Sequence, residues 1–187
     1  MIRALFACLA CFAATGALAG DAQAVIELRT ADGRIVTPLA KGEQKATVLV
    51  FMMHDCPVTN ASAPELARLA AEFTPRGIRF FGIYSTETAA EITVHRRDYG
   101  LPFEGLLDPQ LRLARLAGAT RAPEAAVISP EGKVLYRGRI DDRAVKPGIM
   151  RATARKRDLH LALTAVLEGR DPEPRYTTSI GCYLPSK

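Results

Sequence analysis

The chain has 187 residues, 48% of them apolar, and a formal charge of +5. That size and composition fit one domain with a full hydrophobic core. Basic residues are scattered apart from Arg151–Arg157 (RATARKR), with no interleaved aromatics and no nucleic-acid motif. They read as a solvated basic face, and nucleic acid is excluded as a partner class.

The first stretch, MIRALFACLACFAATGALAG, carries Arg3, an apolar centre and small residues ending Ala17-Leu18-Ala19. It reads as a secretory signal peptide over residues 1–19, with cleavage there or, at Ala22-Gln23-Ala24, as late as residue 24. No later apolar run is long enough to span a bilayer, so no stable membrane insertion is expected after cleavage. Cys8 and Cys11 leave with the signal, and Cys56 and Cys182 remain. Two thiols in an exported chain imply an oxidising compartment, periplasmic or secreted, and a possible pair. If they pair within one chain, closing so long a loop stabilises the fold by up to about 4–5 kcal/mol. A plain staple and a redox pair both fit that arithmetic, and the spacing does not say whether the two meet within one chain or between two.

The domain proper is expected over residues 25–169. Ala24–Leu39 reads as two strands about Ala31-Asp32-Gly33, because Asp-Gly between apolar runs is a hairpin signal. Thr47–Met53 (TVLVFMM) is almost continuously apolar and suits a central strand buried on both faces. It ends at His54-Asp55-Cys56-Pro57. Pro57 lacks an N–H and has a preset φ, so it fits the first turn of a helix. Cys56 is thereby placed where a strand hands over to a helix N-terminus, whose partial positive charge favours a thiolate. The helix runs to Phe73, with Leu66, Leu69, Ala70 and Phe73 on one face. It either kinks at Pro64 or restarts near Ala63, where Ser62-Ala63-Pro64-Glu65 matches a capping box.

Gly77–Tyr84 is a second core strand, Thr86–Tyr99 a helix stopped by Gly100, and Phe103–Leu107 a short strand. Pro109–Leu116 reads as a helix. Glu124–Ser129 and Lys133–Ile140, split by Pro130-Glu131-Gly132, form a hairpin, and Asp158–Glu168 is the last helix. Residues 170–187 form a polar, Pro-containing tail that carries Cys182. The order implies an α/β fold: a mixed central sheet, parallel early and antiparallel late, with helices on both faces.

That order, with DCPVTNASAPEL at the first strand–helix junction, the block TRAPEAAVISPEGKVLYRGRIDDR and Gly181-Cys182 in the tail, resembles the thioredoxin-like fold. It is most similar to the redoxin or AhpC/TSA branch, which holds peroxiredoxin-like proteins and exported thiol–disulfide oxidoreductases. The resemblance implies that Cys56 is the nucleophile and Pro123 a cis proline facing it. It implies no cofactor, and as partner another periplasmic thiol/disulfide protein or a small thiol. Thioredoxins use Cys-x-x-Cys, but position 59 is Thr, so Cys182 or an external thiol must resolve a mixed disulfide. Cys182 is expected to swing in on its tail. Peroxiredoxins place Thr or Ser three residues, and Pro seven residues, before the reactive Cys; here those positions hold Met53 and Leu49. Peroxide reduction through a Cys56 sulfenic acid is therefore the alternative.

A further alternative is copper binding of the Sco type, with His54, Cys56, His95 and Cys182 as candidate ligands and Asn60 at the second Cys position. A non-catalytic stapled module is the last. His54 is also a candidate to orient the thiol, and Glu124, beside Pro123, to raise its pKa by like-charge proximity. His95 and His160 read as ordinary helix residues, and Tyr136–Arg143 (YRGRIDDR) as a structural strand running into a charged turn.

Overall fold

The computed structural model describes residues 25–185. The predicted signal peptide therefore lies outside the described residues. Seven strands form one sheet in the order β2-β1-β5-β4-β3-β7-β8. They are β1 (Leu28–Thr30), β2 (Ile35–Val36), β3 (Ala46–Met52), β4 (Ile78–Tyr84), β5 (Glu104–Leu107), β7 (Glu124–Ile128) and β8 (Val134–Gly138). The β3–β4 and β4–β5 pairs are parallel, while β7 and β8 join antiparallel. The hairpin β1–β2 adds antiparallel to β5. The mixed sheet expected from the element order is thus present.

All seven residues of β3 are buried. The strand lies between β4 and β7, and its alternate side chains serve two cores. Val48, Val50 and Met52 face α1 (Pro57–Phe73), α2 (Ala89–Asp98) and α4 (Asp158–Leu167). Leu49 and Phe51 face α3 (Arg112–Ala117). A strand covered on both faces favours apolar side chains throughout, which is why the run from Val48 lacks alternation. Each large side chain buried this way contributes about 1.5–3 kcal/mol.

α1 is one continuous helix that carries Pro64 inside it and Pro57 at its start. The capping box expected at Ser62–Glu65 does not form. Ser62 Oγ instead donates to Val58 O at 2.8 Å, within the helix. Glu65 is buried and pairs with Arg157 at 2.7 Å and with Arg68. The reason is tertiary: Arg157 precedes α4 and draws Glu65 inward. The capping box that does form is Thr88–Glu91, at the start of α2. α3 is capped by Asp108, whose carboxylate accepts from Arg112 N and Leu113 N, both at 2.8 Å.

Two small sheets have no counterpart among the predicted elements. β9 (Ala144–Lys146) and β10 (Ile149–Met150) form an exposed hairpin. β6 (Arg121–Ala122) pairs antiparallel with β11 (Cys182–Tyr183). The tail reaches β6 along the edge of β8: Arg137 N donates to Arg175 O at 2.9 Å and Thr177 N to Arg137 O at 3.1 Å. Gly138 admits this approach, since a Cβ there, at φ 154, would stand 2.1 Å from the Thr177 hydroxyl. The basic run is less free than a solvated face. Arg151 pairs with Asp142, Lys156 with Asp158 and Arg157 with Glu65.

Candidate active site

Cys56 is the N-cap residue of α1, with φ −79 and ψ 115, and its N–H closes a turn on Met53 O at 3.2 Å. The run of β3 ends, one turn follows, and Pro57 opens the helix. That local grammar places the sulfur over the first turn. Cys56 is only 1% exposed. As a thiol it donates to the Ala122 carbonyl at 3.2 Å. The Ala122–Pro123 peptide is cis, as the resemblance implies. Pro123 shares a narrow cleft with Val58, Met150 and Ile180.

Cys182 is already docked beside Cys56. It stands directly opposite Ala122 in the β6–β11 pair, with Tyr183 opposite Arg121. Arg121 secures the segment: it donates to Gly181 O at 3.3 Å and to the Tyr183 hydroxyl at 2.7 Å, and lies 4.0 Å over the Tyr183 ring. The expected swing of the tail is not needed to bring the thiols together, because strand pairing holds Cys182 there. Both cysteines are free thiols.

The two sulfurs are driven in opposite directions. Burial pushes the Cys56 thiol up, but the adjoining Cys182 thiol and the nearby N–H groups of Thr59 and Cys182 outweigh it and lower its pKa. Thr59 occupies the third helical position, where N–H groups of a first turn point at the cap. Its hydroxyl is fully buried and has no hydrogen-bond partner among the described residues. Cys182 is pushed up to about 11, by burial first and then by the adjoining Cys56 sulfur. One thiol is poised to ionise and its neighbour to keep its proton.

A buried polar chain braces the loop that presents Cys56. Asn60 Nδ2 donates to His54 O at 3.0 Å, so its Oδ1 is left to accept from His95 Nε2 at 2.9 Å. The other ring nitrogen of His95 then accepts from the Tyr84 hydroxyl at 2.8 Å. Glu87, also buried, accepts from His54 N at 3.1 Å and faces His54 Nδ1 at 3.5 Å. His95 is 3% exposed, so it is not the ordinary helix residue expected of it. Burial, and then the charge of His54, hold its pKa below the usual histidine value. His160 does stay near the surface, bonded to Glu72 at 3.0 Å.

Glu124 departs from its expected role. Its carboxylate accepts from Thr120 N at 2.9 Å and Arg121 N at 3.2 Å, and faces Arg137 at 3.6 Å. It braces the turn before Pro123, with its partners in that turn and on β8. The candidate copper ligands do not converge either. Both ring nitrogens of His95 are engaged, and among the described residues no group of three or more His, Cys, Asp or Glu is placed to hold a metal ion. In the sequence Glu87 and Arg121 carry no site role, and Thr59 and Asn60 stand only as positions where a second cysteine is missing. Only Thr59 had a local signal, its spacing from the N-cap cysteine.

The AhpC/TSA family model matches residues 19–137. The chain belongs to the AhpC/TSA family. The matched region contains Cys56, Thr59 and Pro123 but ends well before Cys182. No curated protein matches the chain. Among solved structures it is similar to an uncharacterized conserved protein of Geobacillus kaustophilus (29% identity, TM-score 0.74, covering 86% of this chain and 88% of that one). It is also similar to a hypothetical protein of Sinorhizobium meliloti (26% identity, TM-score 0.72, covering 84% and 88%). A secreted disulfide oxidoreductase of Mycobacterium tuberculosis, homologous to E. coli DsbE, shares the fold (19% identity, TM-score 0.55, covering 78% and 96%). This member of the AhpC/TSA family thus has a thioredoxin-like fold.

Proposed function

We propose that the chain is an exported thiol–disulfide oxidoreductase whose redox pair is Cys56 and Cys182. The observation that carries this reading is the docking of Cys182 onto Ala122, beside a Cys56 sulfur whose ionised form is favoured. The pair cycles between two thiols and one Cys56–Cys182 disulfide, exchanging two electrons with a partner dithiol or disulfide. Thr59 and the first turn of α1 hold the Cys56 thiolate, and Pro123 shapes the adjoining cleft. Export is supported by Arg3, the apolar run and Ala17-Leu18-Ala19. The partner is then an exported thiol protein or a small thiol.

Peroxide reduction is less well supported. It needs donors that polarise the O–O bond. The Thr or Ser hydroxyl that stands three residues before the cysteine in peroxiredoxins is replaced by the side chain of Met53, which has no hydrogen to donate. The test is reduction of a model disulfide by the parent chain, Cys56→Ser and Cys182→Ser. Both variants should be inactive and peroxide consumption by the parent negligible. Full activity in Cys182→Ser, or rapid peroxide turnover by the parent, refutes the reading.

A further inference from the structure

The sulfur favoured as a thiolate is also the one the fold closes off. Cys56 is 1% exposed, whereas Cys182 is partly exposed and is followed by Tyr183, which is 71% exposed. The closure is tight. A Cβ on Gly181 would stand 2.0 Å from the Ala122 carbonyl and 3.1 Å from Pro123 Cδ, so β11 lies flat against β6. The edge of β6, where an extended partner segment would add beside Cys56, is filled by the chain's own tail. An external sulfur reaches Cys56 only if β11 leaves. It reaches Cys182 with β11 in place.

We propose that in the oxidised protein Cys182 is the sulfur that receives an incoming thiolate from a partner dithiol and carries the partner, with Cys56 as the leaving group. This rests on Cys56 and Cys182 being the redox pair. In the first step the partner thiolate attacks Cys182 Sγ. A partner–Cys182 bond forms, the Cys56–Cys182 bond breaks, and its electron pair departs on Cys56 as a thiolate. In the second step the partner's other thiolate attacks the partner sulfur of that mixed disulfide, and the displaced Cys182 sulfur takes up a proton. The partner loses two electrons and becomes a disulfide, and the protein gains them as a Cys56 thiolate and a Cys182 thiol.

Exchange is fastest at an accessible sulfur that expels a low-pKa thiol. Thr59 and the Cys182 N–H stabilise the Cys56 thiolate as it departs, while Cys182 holds its proton after release.

The test uses the full chain with Cys8→Ser and Cys11→Ser, so that only the pair remains. It is oxidised, the Cys56–Cys182 disulfide is verified by non-reducing peptide mapping, and the protein is then mixed with glutathione. Quenching with acid and alkylating reagent at successive times, followed by mass spectrometry, locates the adduct. The expected early adduct is on Cys182, at least about tenfold over Cys56, with Cys56 alkylated. Gly181→Ala, which lifts β11, should lose that preference. An adduct on Cys56 from the earliest time overturns the proposal while leaving the redox pair intact. Failure of any intramolecular disulfide to form overturns the pair itself, and this proposal with it.

Discussion

Cys182 is the strand partner of Ala122, and Ala122 is also the residue whose carbonyl takes the Cys56 thiol at 3.2 Å. One backbone position thus holds both sulfurs. Lifting β11 should separate them. In Gly181→Ala the new methyl cannot fit against Ala122 and Pro123, so the intramolecular disulfide should form at least about tenfold more slowly under a fixed oxidant, and Cys56 should be alkylated faster. Timed alkylation with mass spectrometry reads both. Unchanged rates would mean that β11 does not hold the tail.

Thr59 stands where a thioredoxin carries its second cysteine, and its buried hydroxyl, unpartnered among the described residues, is available to the Cys56 thiolate. Thr59→Val keeps the volume and removes the hydroxyl. The Cys56 thiol should then titrate at higher pH, followed by thiolate absorbance. Disulfide exchange at neutral pH should slow by about tenfold, the scale of one hydrogen bond to a charged group. A titration curve identical to the parent's would remove Thr59 from the site.

His95 gives the fold a dependence on acid. Its buried, doubly bonded ring has a pKa below the ordinary 6.5. As pH falls below that value, the unfolded chain takes up a proton that the folded chain refuses. Its contribution to stability is therefore full above the unfolded pKa and is lost as pH falls through the folded one, at up to about 1.4 kcal/mol per pH unit. Urea unfolding at about pH 7.5 and about pH 5.5 should show a smaller loss for His95→Gln than for the parent. Equal losses would show that His95 titrates alike in both states.

The Glu65 carboxylate is buried between α1 and the segment entering α4, and it depends on Arg157 at 2.7 Å. Arg157→Ala leaves it with Arg68 alone, whose side chain is 60% exposed. The expected cost is about 1.5–3 kcal/mol, read from the urea midpoint. Arg68→Ala should cost about 1 kcal/mol or less. If the two variants were equally stable, Arg157 would not be the partner that matters.

What the sequence determined by itself is what short-range physics controls. The apolar run of β3, the proline that opens α1, the Asp-Gly hairpin and the helix stop at Gly100 are local signals, and each appears where expected. They were enough to seat Cys56 at a helix mouth and to make the sheet a mixed one. Tertiary structure decided the rest, because it depends on contacts between residues far apart in the chain. The capping box at Ser62–Glu65 gave way to Arg157, His95 was drawn inward by Asn60 and Tyr84, and Glu124 turned to the turn at Thr120 and Arg121. The meeting of Cys56 and Cys182 belongs to the same class. A two-residue strand such as β11 has too little local preference to announce itself, and it exists only because β6 offers an open edge.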